Sequence, residues 1–532
     1  MPVNTIDPYE RLGYPGFPLA QAHPNRLSTL ARLMGMAPAP IETMRVLEIG
    51  CGDGTHLIGV AAGIPGAQLV GMDLAAAGIE VGRSAIAELG LTNIRLEQCD
   101  LMDFDIRSQE FDCVIAHGFY SWVPPAVRDR LLDVCRRVLS PQGVAYISYN
   151  TWPGCHQRQM LDEMMRYHVA EVEGISEKLE QARQLARFLS TAVSDKHAYG
   201  ASIRHEAELI AGYRDSSLFH DDLAELNQPV YFHQFEAHAR QFGLQYLSEA
   251  QYFETQTAGM SPEVVQTLSQ LADDVVAFEQ YLDFIKGRRF RQTLLCRDSV
   301  QLDRQGAASR VAELSVAGAL REGAVSVTRD GQAAVTFQGP GGATMQTDQP
   351  LLRSAFALLG ETWPRAIPFD RLLREAMQRR TESSGPEPLD ADGQRAMLSQ
   401  AMLRAYSANL VELHVLPSQF ELEPGTYPVA SPLARWQITR RETITNLRHY
   451  DVRVEDNLPC RLIPLLDGTR DRAALVDWFL ANADSLPEGK ELAHSRRRSQ
   501  GMASPSVRMR AAGLIDAALK ELGRRALLVA GT

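Results

Sequence analysis

Short apolar runs that close on a polar residue recur along the first 150 positions. Residues 45–49, 68–73, 94–98, 111–116 and 144–150 are such runs and read as strands. Helical spacing fills the gaps at 55–62, 75–89 and 127–139. Strands apolar on both faces, alternating with helices, predict an α/β fold with a Rossmann-like, doubly wound parallel sheet. Ligands of such a sheet sit beyond the C-terminal strand ends. Past residue 150 the period changes. Three- and four-residue spacing holds over 158–193, within 205–242 and at 275–285, which predicts a mostly helical middle region. From Gly323 the pattern shifts again. Residues 324–328 and 333–337 flank Asp330-Gly331, a hairpin signal. Helices at 351–359, 369–377 and 395–405 and a strand at 410–415 complete a winged-helix-like α+β module, with an acidic loop at 382–388. A second winged-helix-like module is expected from about Trp436, with a helix at 473–483. These shifts divide the chain into 1–170, 171–300, 301–425 and 426–532.

The chain has 532 residues, too many for one core, and a net charge of -11. The acidic balance argues against nucleic-acid binding, which wants a basic face. Arg496-Arg497-Arg498 is the main contrary run, and a solvated linker accounts for it. There is no apolar run of about 18 residues, so no membrane insertion is expected. The N-terminus lacks a basic region followed by an apolar core, so no signal peptide is expected. None of the seven cysteines form a C-x-x-C pair. Reduced thiols in a cytoplasmic protein, and no metal site, are the expectation.

Glycines alternate in Glu48-Ile49-Gly50-Cys51-Gly52-Asp53-Gly54, between a strand and a helix. Without a Cβ the backbone can come close to a ligand, and the helix N-terminus offers unpaired N–H groups to an anion. The dinucleotide spacing G-x-G-x-x-G does not fit, because the third glycine comes one residue early. Asp73-Leu74 ends the second strand, where a carboxylate takes two ribose hydroxyls. Asp100-Leu101 follows the third strand, His117 the fourth, and Asn150 closes the fifth. Glu48, Asp73, Asp100, His117 and Asn150 therefore meet at the ligand-binding edge.

The E-x-G-x-G-x-G stretch resembles motif I of class I S-adenosyl-L-methionine methyltransferases. A narrower resemblance rests on Tyr14-Pro15 and His23-Pro24, on His117-Gly118-Phe119-Tyr120-Ser121-Trp122-Val123-Pro124, on Ser148-Tyr149-Asn150-Thr151-Trp152-Pro153-Gly154 and on Met164-Met165-Arg166-Tyr167-His168. These are similar to bacterial methyltransferases with a methyltransferase regulatory domain, the rickettsial outer-membrane-protein lysine methyltransferases among them. Farther on the resemblance is weaker, at His220-Asp221-Asp222-Leu223 with Asn227-Gln228-Pro229 and at residues 465–470. It implies S-adenosyl-L-methionine as cofactor, held by Glu48, Gly50, Gly52, Gly54, Asp73, Leu74, Asp100, Leu101 and His117. Asp100 would take the adenine amino group and Leu101 would pack on the ring. It also implies a protein substrate methylated on lysine and a regulatory middle domain.

Tyr120, Trp122, Tyr149 and Trp152 cluster with Asn150 at two adjacent strand ends and are the catalytic candidates. Aromatic faces hold an ammonium and keep water away. A tyrosine oxygen or His117 would accept the proton, and the residues leave that choice open. A small-molecule methyltransferase and a catalytically silent docking protein are the competing readings, and a homodimer is left open. The intact acids and glycines count against the silent reading.

Overall fold

Residues 12–105, 110–194, 196–327, 333–379, 390–489 and 505–529 are described by a computed structural model. The Asp330-Gly331 turn, the 382–388 loop, Arg496-Arg497-Arg498 and the first residues of the chain lie outside the described residues.

A seven-stranded sheet carries the site. Its strands are β1 (Arg45–Ile49), β2 (Gln68–Asp73), β3 (Ile94–Gln98), β4 (Phe111–Ala116), β5 (Leu139–Asn150), β6 (Leu244–Glu249) and β7 (Phe290–Arg297), in the order β3-β2-β1-β4-β5-β7-β6. The first five are parallel, and β7 runs antiparallel between β5 and β6. The reversal of strand order beside β1 opens the crevice where ligands of such sheets bind. On one face lie α1 (Pro24–Leu33), α2 (Thr55–Gly63) and α3 (Ala76–Leu89), packed on Val46, Ile115 and Tyr146. On the other, α4 (Pro125–Val138) covers Leu47, Val114, Ile147 and Tyr149.

The sheet does not end near residue 170. β6 and β7 come from the middle region, which was expected to be mostly helical and in which no strand was anticipated. The Lys286–Arg289 run reads as a basic helix end, yet Arg291 just beyond it is fully buried in β7. Its guanidinium meets Glu249 at 2.6 Å, Asp283 at 2.8 Å and Glu279 at 3.1 Å. A charge neutralised in this way can occupy a core strand, which apolar periodicity does not reveal. Between β5 and β6 the chain does run as helices: α5 (Cys155–His168), α6 (Ile175–Ala192), α7 (Ala198–Ala211) and a π turn at Leu218–Asp222. They share a small core of Leu161, Met165, Leu179, Ala182 and Leu218. Helix α8 (Phe232–Gln241) then returns to the sheet, where Phe235 packs beside Tyr149.

Residues 301–425 hold helices at Pro350–Thr362, Phe369–Arg379 and Ala391–Ser407, with two three-stranded sheets. Their core is continuous with the α1 face of the large sheet, running from Val46 through Leu27 to Phe356. The last module has its own core around Leu458, Phe479 and Ile515, with helices Arg472–Asn482 and Pro505–Arg524 and a small hairpin of Thr443–Thr445 on Asp451–Arg453. Among the described residues no helix is long and apolar enough to cross a membrane.

Candidate active site

β1 ends in the glycine turn. The amides of Gly50 and Cys51 both donate to the Met72 carbonyl of β2, at 2.8 and 3.1 Å. Gly52 has φ +57°, and a Cβ built there meets nothing within 4 Å. Open space beside a left-handed backbone is what a turn shaped around a ligand requires. Asp73 reaches back across the turn. One carboxylate oxygen accepts from the Gly52 N–H at 2.7 Å and the other from Ala75 N–H at 2.9 Å. Asp100 caps the short helical turn after β3 through Met102 N–H at 2.9 Å, with Leu101 buried and Leu74 exposed beside it.

These residues line one cavity of about 1780 Å³. Glu48, Gly50, Gly52, Asp73, Leu74, Asp100, Leu101, His117, Trp122 and Asn150 all border it. Burial lowers the His117 imidazole to about 4, so the ring is neutral, with Nδ1 2.9 Å from the Tyr146 hydroxyl. Asn150 donates to Asn227 Oδ1 at 2.8 Å. Tyr14 and Phe17 of the N-terminal arm form one wall, and Phe219 and Asp221 of the π turn another. Arg158, Arg166, Val169 and Lys178 of the middle helices extend the cavity well past the strand ends.

Three of the expected acceptor residues lie elsewhere. Along β5 side chains alternate: Tyr146 belongs to the α1 face, and Ile147 and Tyr149 to the α4 face. Tyr149 is fully buried, stacked on Phe235 at 4.1 Å, with its hydroxyl 3.1 Å from Thr293 Oγ1. Tyr120 packs in the same core, and its hydroxyl meets His238 Nδ1 at 2.8 Å. Trp152 stacks on His156 at 3.9 Å, and none of the three borders the cavity. Burial pushes the Tyr120 hydroxyl up to about 12 and holds that of Tyr149 well above its ordinary value, so both stay protonated and neither is available as a base.

The donor set fits an amino-acid cofactor end. Glu48 Oε2 is buried with no hydrogen-bond partner in the protein. Burial, reinforced by Asp53 and Asp73, holds its carboxyl well above the usual range, which a cationic group opposite would reverse. His56, at the start of α2, borders the same cavity. Its Nδ1 accepts from Leu19 N–H at 3.2 Å and lies 2.7 Å from His449 Nε2. That network assigns the proton of His56 to Nε2, which is buried and unpartnered. An unmet acceptor and an unmet donor suit an ammonium and a carboxylate on one molecule. Helical spacing gave no sign of His56, Phe17 or Phe219. Asp221 carried a faint signal, as part of the His220-Asp221-Asp222-Leu223 stretch.

Three stretches match known family models. Residues 46–143 match a model described as a methyltransferase domain, 214–297 a predicted methyltransferase regulatory domain, and 426–527 the C-terminal winged helix domain of PKMT. An uncharacterized protein of Rickettsia prowazekii is 30% identical over 531 residues, covering 98% of this chain and 94% of its own. A second from that organism is 37% identical over 228 residues, covering 43% of this chain and 91% of its own. The solved structure of PKMT2 from Rickettsia typhi superposes with a TM-score of 0.83 at 25% identity, covering 97% of this chain and all of that one. The same protein in complex with AdoHcy gives 0.82 over the same coverage.

Proposed function

The chain belongs to the S-adenosylmethionine-dependent methyltransferases that carry a regulatory domain and a PKMT-type winged helix, and on that premise we propose that it methylates lysine side chains of a protein. The observation that carries this reading is the continuity of the large cavity. It is lined at one end by the glycine turn, which suits one cofactor, and also by the arm, the π turn and the middle helices. The winged helix named for PKMT and the likeness to PKMT2 support a protein substrate.

When bound, S-adenosyl-L-methionine supplies an electrophilic methyl group on a sulfonium. The chain's own residues then have three tasks. Glu48 and His56 would hold the amino-acid end, Asp73 the ribose, and Asp100 with Leu101 the adenine. Trp122, Tyr14, Phe17 and Phe219 offer faces to an incoming ammonium and exclude water from it. A lysine amine, with a pKa of about 10.4, must also shed a proton before it can attack. Asp221 is the candidate receiver. Burial raises its carboxyl to about 6, with Asp222 adding to the rise and Arg158 and the Tyr14 hydroxyl opposing it. It is thus ionised at neutral pH yet closer to the amine in basicity than an exposed aspartate. In this role it replaces Tyr120 and Tyr149.

The test is to incubate the protein with methyl-labelled cofactor and a fractionated cell extract. Label in polypeptide, recovered as methyl-lysine after hydrolysis, is the expected result. Label confined to the small-molecule fraction would overturn the reading in favour of a small-molecule acceptor.

A further inference from the structure

The glycine turn is held from outside its own domain. Asp53, between Gly52 and Gly54, uses one carboxylate oxygen locally, accepting from Thr55 N–H at 3.0 Å and Thr55 Oγ1 at 2.6 Å. Its other oxygen accepts from Arg441 Nη2 at 3.0 Å, across 388 residues of sequence. Arg441 Nη1 donates to Thr55 Oγ1 at 2.8 Å. The pair is largely buried, with side-chain exposures of 24% for Arg441 and 16% for Asp53. Over it lies the N-terminal arm, so close that a Cβ at Gly16 would come within 2.0 Å of Asp53 Oδ1.

The same module makes a second contact. His449 stands 2.7 Å from His56 Nδ1, and Leu19 N–H already donates to that atom, so His449 is the other donor. Helix α2 accommodates the ring only because it has no side chain at residue 59. A Cβ on Gly59 would sit 2.7 Å from His449 Cε1. His449 itself holds φ +61°, an uncommon conformation for a residue with a side chain.

Three acids crowd this turn: Glu48, Asp53 and Asp73. Arg441 is the cation that offsets one of them. Without it, mutual repulsion would open the turn, and the Gly52 N–H would lose its setting against Asp73.

We infer that the C-terminal module is a structural part of the cofactor site, with Arg441 as a positioning residue that keeps the glycine turn in its ligand-receiving shape. The inference rests on the reading of this cavity as the cofactor site. It makes cofactor affinity depend on how the module docks, so a substrate that shifts the module would also shift cofactor binding.

The test uses the full chain and S-adenosylhomocysteine as the calorimetric probe. R441Q should weaken binding roughly 10- to 100-fold, the scale of one buried charged hydrogen bond. KM for S-adenosyl-L-methionine should rise while kcat stays near wild type, and R441K should recover part of the loss. R440Q is the control, because Arg440 pairs with Glu88 on α3 and does not touch the turn. D53N approaches the same pair from the loop, and adding R441Q to D53N should cost little more. Wild-type affinity in a folded R441Q protein would overturn the inference. So would fully additive losses in the double variant. Should R441Q fail to fold, D53N decides alone: unchanged affinity overturns the inference, and a matching loss supports it. A wild-type chain that binds no S-adenosylhomocysteine would instead remove the cofactor reading itself.

Discussion

Gly52 shows what a single position decides. Its backbone is left-handed and its missing side chain would project into the cavity. Gly52→Val therefore adds both strain and bulk where the ligand belongs. Binding of S-adenosyl-L-methionine should vanish, and calorimetry on a protein shown to be folded by circular dichroism checks this. The tyrosines make the opposite case. Tyr149→Phe removes one buried hydrogen bond to Thr293, so it should cost about 1 kcal/mol of stability and leave turnover near wild type. Asp221→Asn should instead lower turnover on the order of 10²-fold with cofactor affinity unchanged, and wild-type activity should fall as pH drops through about 6. Steady-state rates of the two variants separate these readings. That Gly50, Gly52, Asp73, Asp100 and His117 border one cavity was legible, because strand ends in a doubly wound sheet point to one edge, whereas Gly54 packs toward Leu96 and does not border it. The acceptor wall was not. Tyr149 and Asn150 are adjacent in sequence and face opposite ways, and an unbroken apolar run does not say which face meets the ligand.

Among the elements, the five parallel strands and their crossover helices could be read directly from the hydrophobic pattern. β6 and β7 could not, because a fully buried arginine breaks the apolar signature of β7. That arginine has its own consequence. Arg291→Ala would leave Glu249 without its cation and Glu279 and Asp283 with only Arg288 between them. The expected loss is about 3–5 kcal/mol, the usual result of removing one partner from a buried charge cluster. Denaturant unfolding measures it, and a loss under about 1 kcal/mol would show that the carboxyls simply take up protons instead. The middle helices were anticipated as helices. Their place as a wall of the cavity was not, since local periodicity carries no information about what lies across a crevice.

The whole molecule is tied together by neutral histidines. His56 and His449 are buried and His23 half-buried against them, between the arm, α2 and the last module. Burial holds His23 down to about 4 and the other two well below their ordinary range, with His414, Arg26 and His117 adding to the effect. Their folded pKa lies below the unfolded value of about 6.5, so the unfolded chain binds more protons in acid. The stability they contribute is complete above about pH 6.5 and is lost as pH falls from there toward 4. Thermal unfolding across that window should show the decline, and His449→Asn should flatten it. The pattern shifts suggested divisions near 170, 300 and 425, and the sheet crosses the first of them. Contacts across the chain could not be read at all, because Asp53 and Arg441 carry no shared pattern. That long-range closure has a consequence for synthesis. The glycine turn leaves the ribosome nearly 400 residues before the arginine that completes it. Chains fold from the N-terminus as they emerge. An unfinished chain would therefore hold a sheet but only a weak grip on the cofactor, and so would not commit the cell's methyl donor before its substrate-facing parts exist.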